Sequence, residues 1–162
     1  MNKSNILKLA LAFASVAANM FATGETTAQP PPKSPATLQG VWRVTRHGVN
    51  CQTGQELNSF PALMTFHQDG TLHGDAVGPG STAAESTAEH GVWAPHGSDY
   101  SFRAVGYTWD PDTGVFEGRG EITAIVHLTS ANTFTYNATI CVYDAVGNQL
   151  FCACGRSEGI RF

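Results

Sequence analysis

The stretch Thr133-Phe-Thr-Tyr-Asn-Ala-Thr-Ile-Cys-Val142 decides the fold. Its apolar and aromatic residues, Phe134, Tyr136, Ala138, Ile140 and Val142, take every second position, and Thr135, Asn137, Thr139 and Cys141 fill the gaps. A period of two sends successive side chains to opposite faces of a strand. A helix would instead place its apolar residues three and four apart. One face is therefore enclosed and the other wet, as an antiparallel sheet allows.

The same phase runs outward in both directions. Phe116–Leu128 ends with Ile122, Ala124, Val126 and Leu128 inward, and Tyr100, Phe102 and Ala104 oppose Ser101 and Arg103. Further back, Ala62, Met64 and Phe66 alternate with Leu63, Thr65 and His67, and Leu38, Trp42 and Val44 with Gln39, Arg43 and Thr45. Between these runs stand turn residues: Asp69-Gly70, then Asp110-Pro-Asp-Thr-Gly114, then Asp144-Ala-Val-Gly-Asn148, chemistry suited to hairpins and proline-initiated turns. Gly78–Glu89 is the one long polar connection, read as a lid or a crossing. The expectation is an all-β domain of about eight antiparallel strands in up-and-down order, closed into a barrel so that no edge is exposed. A two-sheet β-sandwich would use the same alternation; the short sequential hairpins favour the barrel.

The start of the chain reads differently. Lys3 and Lys8 give a positive beginning, Ile6–Ala18 is apolar apart from Lys8 and Ser15, and small residues follow. That is the layout of a secretory signal peptide, here residues 1–28 with cleavage between 18 and 28. Residues 29–37 (QPPPKSPAT) are too rich in proline to pack as helix or interior strand, and read as a tether before a domain at 38–162. The expected location is the bacterial periplasm or the medium. With 9 basic against 13 acidic residues the net charge is −4, and losing residues 1–22 removes two lysines and no acid. No basic patch points to nucleic acid, and anionic membrane is an equally poor partner once the leader is gone.

All 4 cysteines lie in the exported part, where oxidation favours disulfides over a metal site. If Ala145–Asn148 join the last hairpin, Asp144 faces Gln149 and Cys141 lies opposite Cys152 at a bridgeable distance. Cys51 is then left for Cys154, a bond that would tie the first strand to the last. The 6 histidines fall on turns or on the wet phase, as His67 and His127 do, so no metal is expected. No cofactor motif and no serine-nucleophile motif is found, the acids sit mostly in turns or the long loop, and no catalytic residue is assigned.

Gly40-Val41-Trp42, at the head of the first strand, resembles the Gly-x-Trp motif of lipocalins and related calycin barrels. The resemblance implies that Trp42 plugs one barrel end and stacks on a late arginine, Arg156 or Arg161, and that the interior holds a small apolar ligand. The family's second signature, Thr-Asp-x-x-Tyr, has only an echo in Ser98-Asp99-Tyr100. The domain is also similar to small exported bacterial β-proteins of unknown function. Gly-Val-Trp returns at Gly91–Trp93, in surroundings that do not align with the first copy.

The leading expectation is a barrel that binds a small apolar molecule without chemistry, lined by the inward Met64, Phe66, Tyr100, Phe102, Phe134 and Tyr136. One alternative is a protein-binding module, such as an inhibitor of an exported protease. Another is a cyclase-like enzyme, for which Tyr100 and Tyr136 are the only inward polar groups noted.

Overall fold

A computed structural model describes residues 37–76, 78, 82 and 84–162. The expected signal peptide and all of the expected tether but Thr37 lie outside the described residues. Eight strands follow one another: β1 (Gly40–Val49), β2 (Glu56–Phe66), β3 (Thr71–Ala76), β4 (Glu89–His96), β5 (Asp99–Trp109), β6 (Phe116–Leu128), β7 (Thr133–Asp144) and β8 (Gln149–Arg161). Each pairs antiparallel with the next, and β8 returns to β1, so the sheet is a closed up-and-down barrel. The alternative sandwich is thereby excluded. The strands keep the phase read from the sequence. Trp42, Val44, Met64, Phe66, Phe102, Ala104, Ile122, Ala124, Val126, Phe134 and Tyr136 are all buried.

The β2–β3, β4–β5 and β6–β7 turns gather at one end with the start of β1, and this end is packed solid. Trp42 lies 4.7 Å from the Phe134 ring, and Phe66 sits 6.0 to 6.3 Å from Trp93, Phe102 and Phe134. The Trp42 indole N–H donates to the Leu38 carbonyl at 2.8 Å, and Trp93 of the second Gly-Val-Trp donates to the His67 carbonyl at 2.9 Å. Such rings need a partner for their polar edge when buried. Arg161 stacks 4.2 Å over Trp42, a cation–π contact, and donates to the carbonyls of Thr37, Gln39 and Ala131. Gly40 has φ of +133°, and a side chain there would strike the Arg161 guanidinium. Of the two late arginines, only Arg161 has the inward parity. Arg156 sits five residues earlier on β8, so it faces outward, where it donates to Glu56 at 3.0 Å.

The opposite end carries the β1–β2, β3–β4, β5–β6 and β7–β8 connections and both disulfides. Cys51 joins Cys154 across 103 residues, and Cys141 joins Cys152 across the last hairpin. Two disulfides fit an oxidising, extracellular type of environment. The hairpin reaches its cysteine register by a route the sequence did not reveal. Its turn closes one residue tighter than expected, with the Asp144 N–H donating to the Asn148 carbonyl at 2.9 Å. Tyr143, not Asp144, therefore faces Gln149; a bulge beyond it then restores Val142 to Phe151 and Cys141 to Cys152. The two offsets cancel.

Among the described residues β3 pairs with β2 from Ala62 to Phe66, and Glu56 and Asn58–Pro61 pair with β1. The far part of the long connection extends β4 along β5, through the Ser86–Thr108 bridge and the Thr87 N–H donating to the Tyr107 carbonyl.

Candidate functional site

The inward phase of β1 does not stop at Val44. Its next member is Arg46, only 8% exposed. Across the barrel, β4 turns Glu89 inward at its first residue. The guanidinium and the carboxylate meet in two parallel bonds, Nη1 to Oε1 at 2.6 Å and Nη2 to Oε2 at 2.7 Å, the fork geometry that makes such pairs strong. Space for the pair comes from Gly74 on β3, where an added Cβ would lie 2.9 Å from Glu89 Oε2.

Tyr136 and Ser157 complete the polar cluster. Burial works against the Arg46 charge, but Glu89 and Tyr136 outweigh it and hold its pKa above the ordinary arginine value. Burial pushes the Tyr136 hydroxyl above its ordinary value, against the opposing influence of Arg46 and Ser157. The guanidinium is thus a permanent cation and the phenol stays neutral at neutral pH.

Around this cluster lies a cavity of about 300 Å³. Its walls are Phe60, Ile122, Ile140 and the small residues Gly48, Ala76, Ala138, Ala153 and Gly155. Because these inward positions carry little or no side chain, the barrel that is full at the tryptophan end is hollow here. A larger hollow of about 660 Å³ is an open groove on the outside of the wall, bordered by Arg43, Leu63, Asp75 and Ile160. The interior cavity is the better candidate, since its walls are mostly apolar and a few polar groups converge on it.

Of the residues expected to line a ligand site, only Tyr136 borders this cavity. Met64, Phe66, Phe102 and Phe134 are all 1% exposed or less and pack on each other in the plug. Tyr100 stands against Trp93 at the same end, with ring centroids 5.6 Å apart. The parity reading placed all six inward, but large side chains fill the space they enter. Arg46, Glu89 and Ser157 were not singled out from the sequence. Extending the alternation of β1 by one step would have found Arg46.

The wall carries further charged groups. His47 lies 3.0 Å from Glu56, the exposed His127 sits 2.7 Å from Asp99, and Arg119 bonds Glu121 at 2.8 Å while stacking on Tyr143. Among the described residues no group of three or more His, Cys, Asp or Glu side chains is placed to hold a metal ion. The interior cluster offers charge, hydrogen bonds and a neutral phenol, which suits recognition.

No protein-family model matches the chain, and no curated protein matches it. The closed eight-stranded barrel is consistent with a lipocalin-like fold.

Proposed function

We propose that this is an exported binding protein, of the periplasm or the medium, that takes a small and largely apolar molecule into its barrel without transforming it. The observation that carries this reading is the cavity of about 300 Å³, apolar on its walls and polar at one cluster. That is the lower end of the size of small-molecule sites, and the composition is typical of them. Packing in a protein interior rarely leaves such a space without use. The test is fluorescence of phenylnaphthylamine, a neutral dye that brightens in apolar surroundings. Saturable binding is expected, lost when Ala138 and Ala153 are enlarged to Phe to fill the space. A folded protein that neither binds this dye nor any of a panel of fatty and aromatic compounds would defeat the proposal.

A second reading has its own observation. Leu57, Val115, Val146, Leu150 and Phe151 stand more than half exposed near the cavity end, and exposed apolar groups gathered together favour a protein partner. An inhibitor of an exported protease would use them as its contact rim. Pull-down from culture supernatant that depends on Val146 and Phe151 would support it; equal recovery with both changed to Ser would reject it.

A further inference from the structure

The charges inside the cavity restrict what it can take, and the following rests on the ligand-binding reading above. Among the described residues only four ionisable side chains border the space: Arg46, His47, Glu89 and Tyr136. His47 is engaged at the wall by Glu56, at 3.0 Å. Tyr136 is neutral, so the interior charge is that of Arg46 and Glu89, one positive and one negative. Their side chains are only 10% and 16% exposed.

Such a pair changes the usual logic of a buried arginine. A lone guanidinium in an apolar pocket attracts carboxylates. Here both terminal nitrogens already hold Glu89, each at 2.7 Å or less. A carboxylate ligand would have to displace Glu89, leaving that acid enclosed without a partner, or lie beside it as a second anion. Either arrangement strands a charge in low dielectric, which is strongly unfavourable. An ammonium ligand meets the mirror problem, because Glu89 is already neutralised. An uncharged head strands nothing. Glu89 takes two of the five guanidinium N–H donors, and the enclosed Nε–H has no hydrogen-bond partner among the described residues, so donors remain for a carbonyl or hydroxyl oxygen. The hydroxyls of Tyr136 and Ser157 add groups that both donate and accept.

We infer that the cavity selects its ligand by charge: it takes uncharged molecules with an apolar body and one hydrogen-bonding head, such as an alcohol, amide or ester carbonyl, and Glu89 acts as the specificity residue that turns carboxylates away. Rejection is built in as an occupied counter-ion rather than as a clash.

Four compounds of one shape test this: heptanamide, heptanol, heptanoate and heptylammonium, each displacing phenylnaphthylamine from the oxidised protein at neutral pH. The amide and alcohol are expected to displace at concentrations roughly tenfold or more below those of either ion. Glu89→Gln should reverse the ranking of acid and amide, because it frees Arg46 to meet a carboxylate. The double variant Arg46→Gln with Glu89→Gln keeps the cavity neutral and should keep the native ranking. It also serves if the single variant fails to fold. Heptanoate displacing as well as the amide from the native protein would overturn the inference while leaving ligand binding intact. So would an unchanged ranking in folded Glu89→Gln. A dye that never binds would remove the ligand reading itself, and the charge rule with it.

Discussion

The two halves of the barrel interior are built from the same strands by opposite choices. Toward the start of β1 the inward positions hold Trp42, Met64, Phe66, Phe102 and Phe134; toward its end they hold Gly48, Ala76, Ala138, Ala153 and Gly155 around one ion pair. Most of the strands run through both halves, so the backbone alone does not make this difference. Side-chain volume makes it. A sheet closed on eight strands leaves a bore just wide enough for side chains to fill, and the chain fills one half and spares the other. The packed half holds most of the buried apolar core, and the hollow half carries both disulfides.

The sharpest way to break this division is Trp42→Ala. The plug should lose about 3–5 kcal/mol, read as a lower urea midpoint, while phenylnaphthylamine affinity in the folded protein stays within about twofold. A matching loss of affinity would show that the halves are not separate. Next comes the ion pair. Glu89→Ala leaves Arg46 enclosed and unpaired, with an expected cost of about 3 kcal/mol, whereas changing both residues to Leu should cost clearly less than this single change. Urea unfolding of the three proteins side by side checks the order. A smaller contrast uses one substitution in both halves. Gly159→Ala drives a methyl into the Phe134 ring, and at Gly120 an added Cβ meets nothing within 4 Å. The first should lose about 1–3 kcal/mol. The second should be neutral or gain up to about 1 kcal/mol through a stiffer unfolded chain. Thermal midpoints moving down in one and not in the other would sustain the comparison.

The smallest effect expected is in acid. Asp69 at the plugged end and Asp110 and Asp144 at the other are held below the ordinary carboxylate value, chiefly by hydrogen bonds from Thr71, Thr113 and Asn148. A carboxylate whose folded pKa lies below its unfolded one contributes fully above the unfolded value, and that contribution is lost as the pH falls through the folded one. Stability should therefore be level from neutrality down to about pH 5 and decline below about pH 4. Asp69→Asn and Asp144→Asn should each flatten that decline slightly, one at each end, in urea midpoints measured against pH. All three carboxylates are solvent-exposed, so the changes will be modest.

The wall was open to reading because strict alternation survives in every strand that carries the plug, and Asp-Gly and Pro-containing turns mark where the strands reverse. The hollow half left a fainter trace. Glycine and alanine on the inward phase give no hydrophobic signal, so a hollow looks like a weak strand. Arg46 continues the phase of Trp42 and Val44, but a charge at that place is as easily taken for the end of a strand. Its partner stands 43 residues on, at the end of a stretch whose composition is that of a loop. The bulge near Leu150 was equally hidden, since it depends on backbone geometry that the side chains of the hairpin do not announce.

The bond between Cys51 and Cys154 spans 103 residues and joins the first strand to the last. During synthesis the earlier thiol emerges long before its mate, and the ribbon cannot become a ring until β8 is out. Cys141 comes within reach first, so a premature cross-link to it is the obvious error on the way. The correct pair joins the two ends of the ribbon, so once sealed this bond keeps the ring from reopening at its seam.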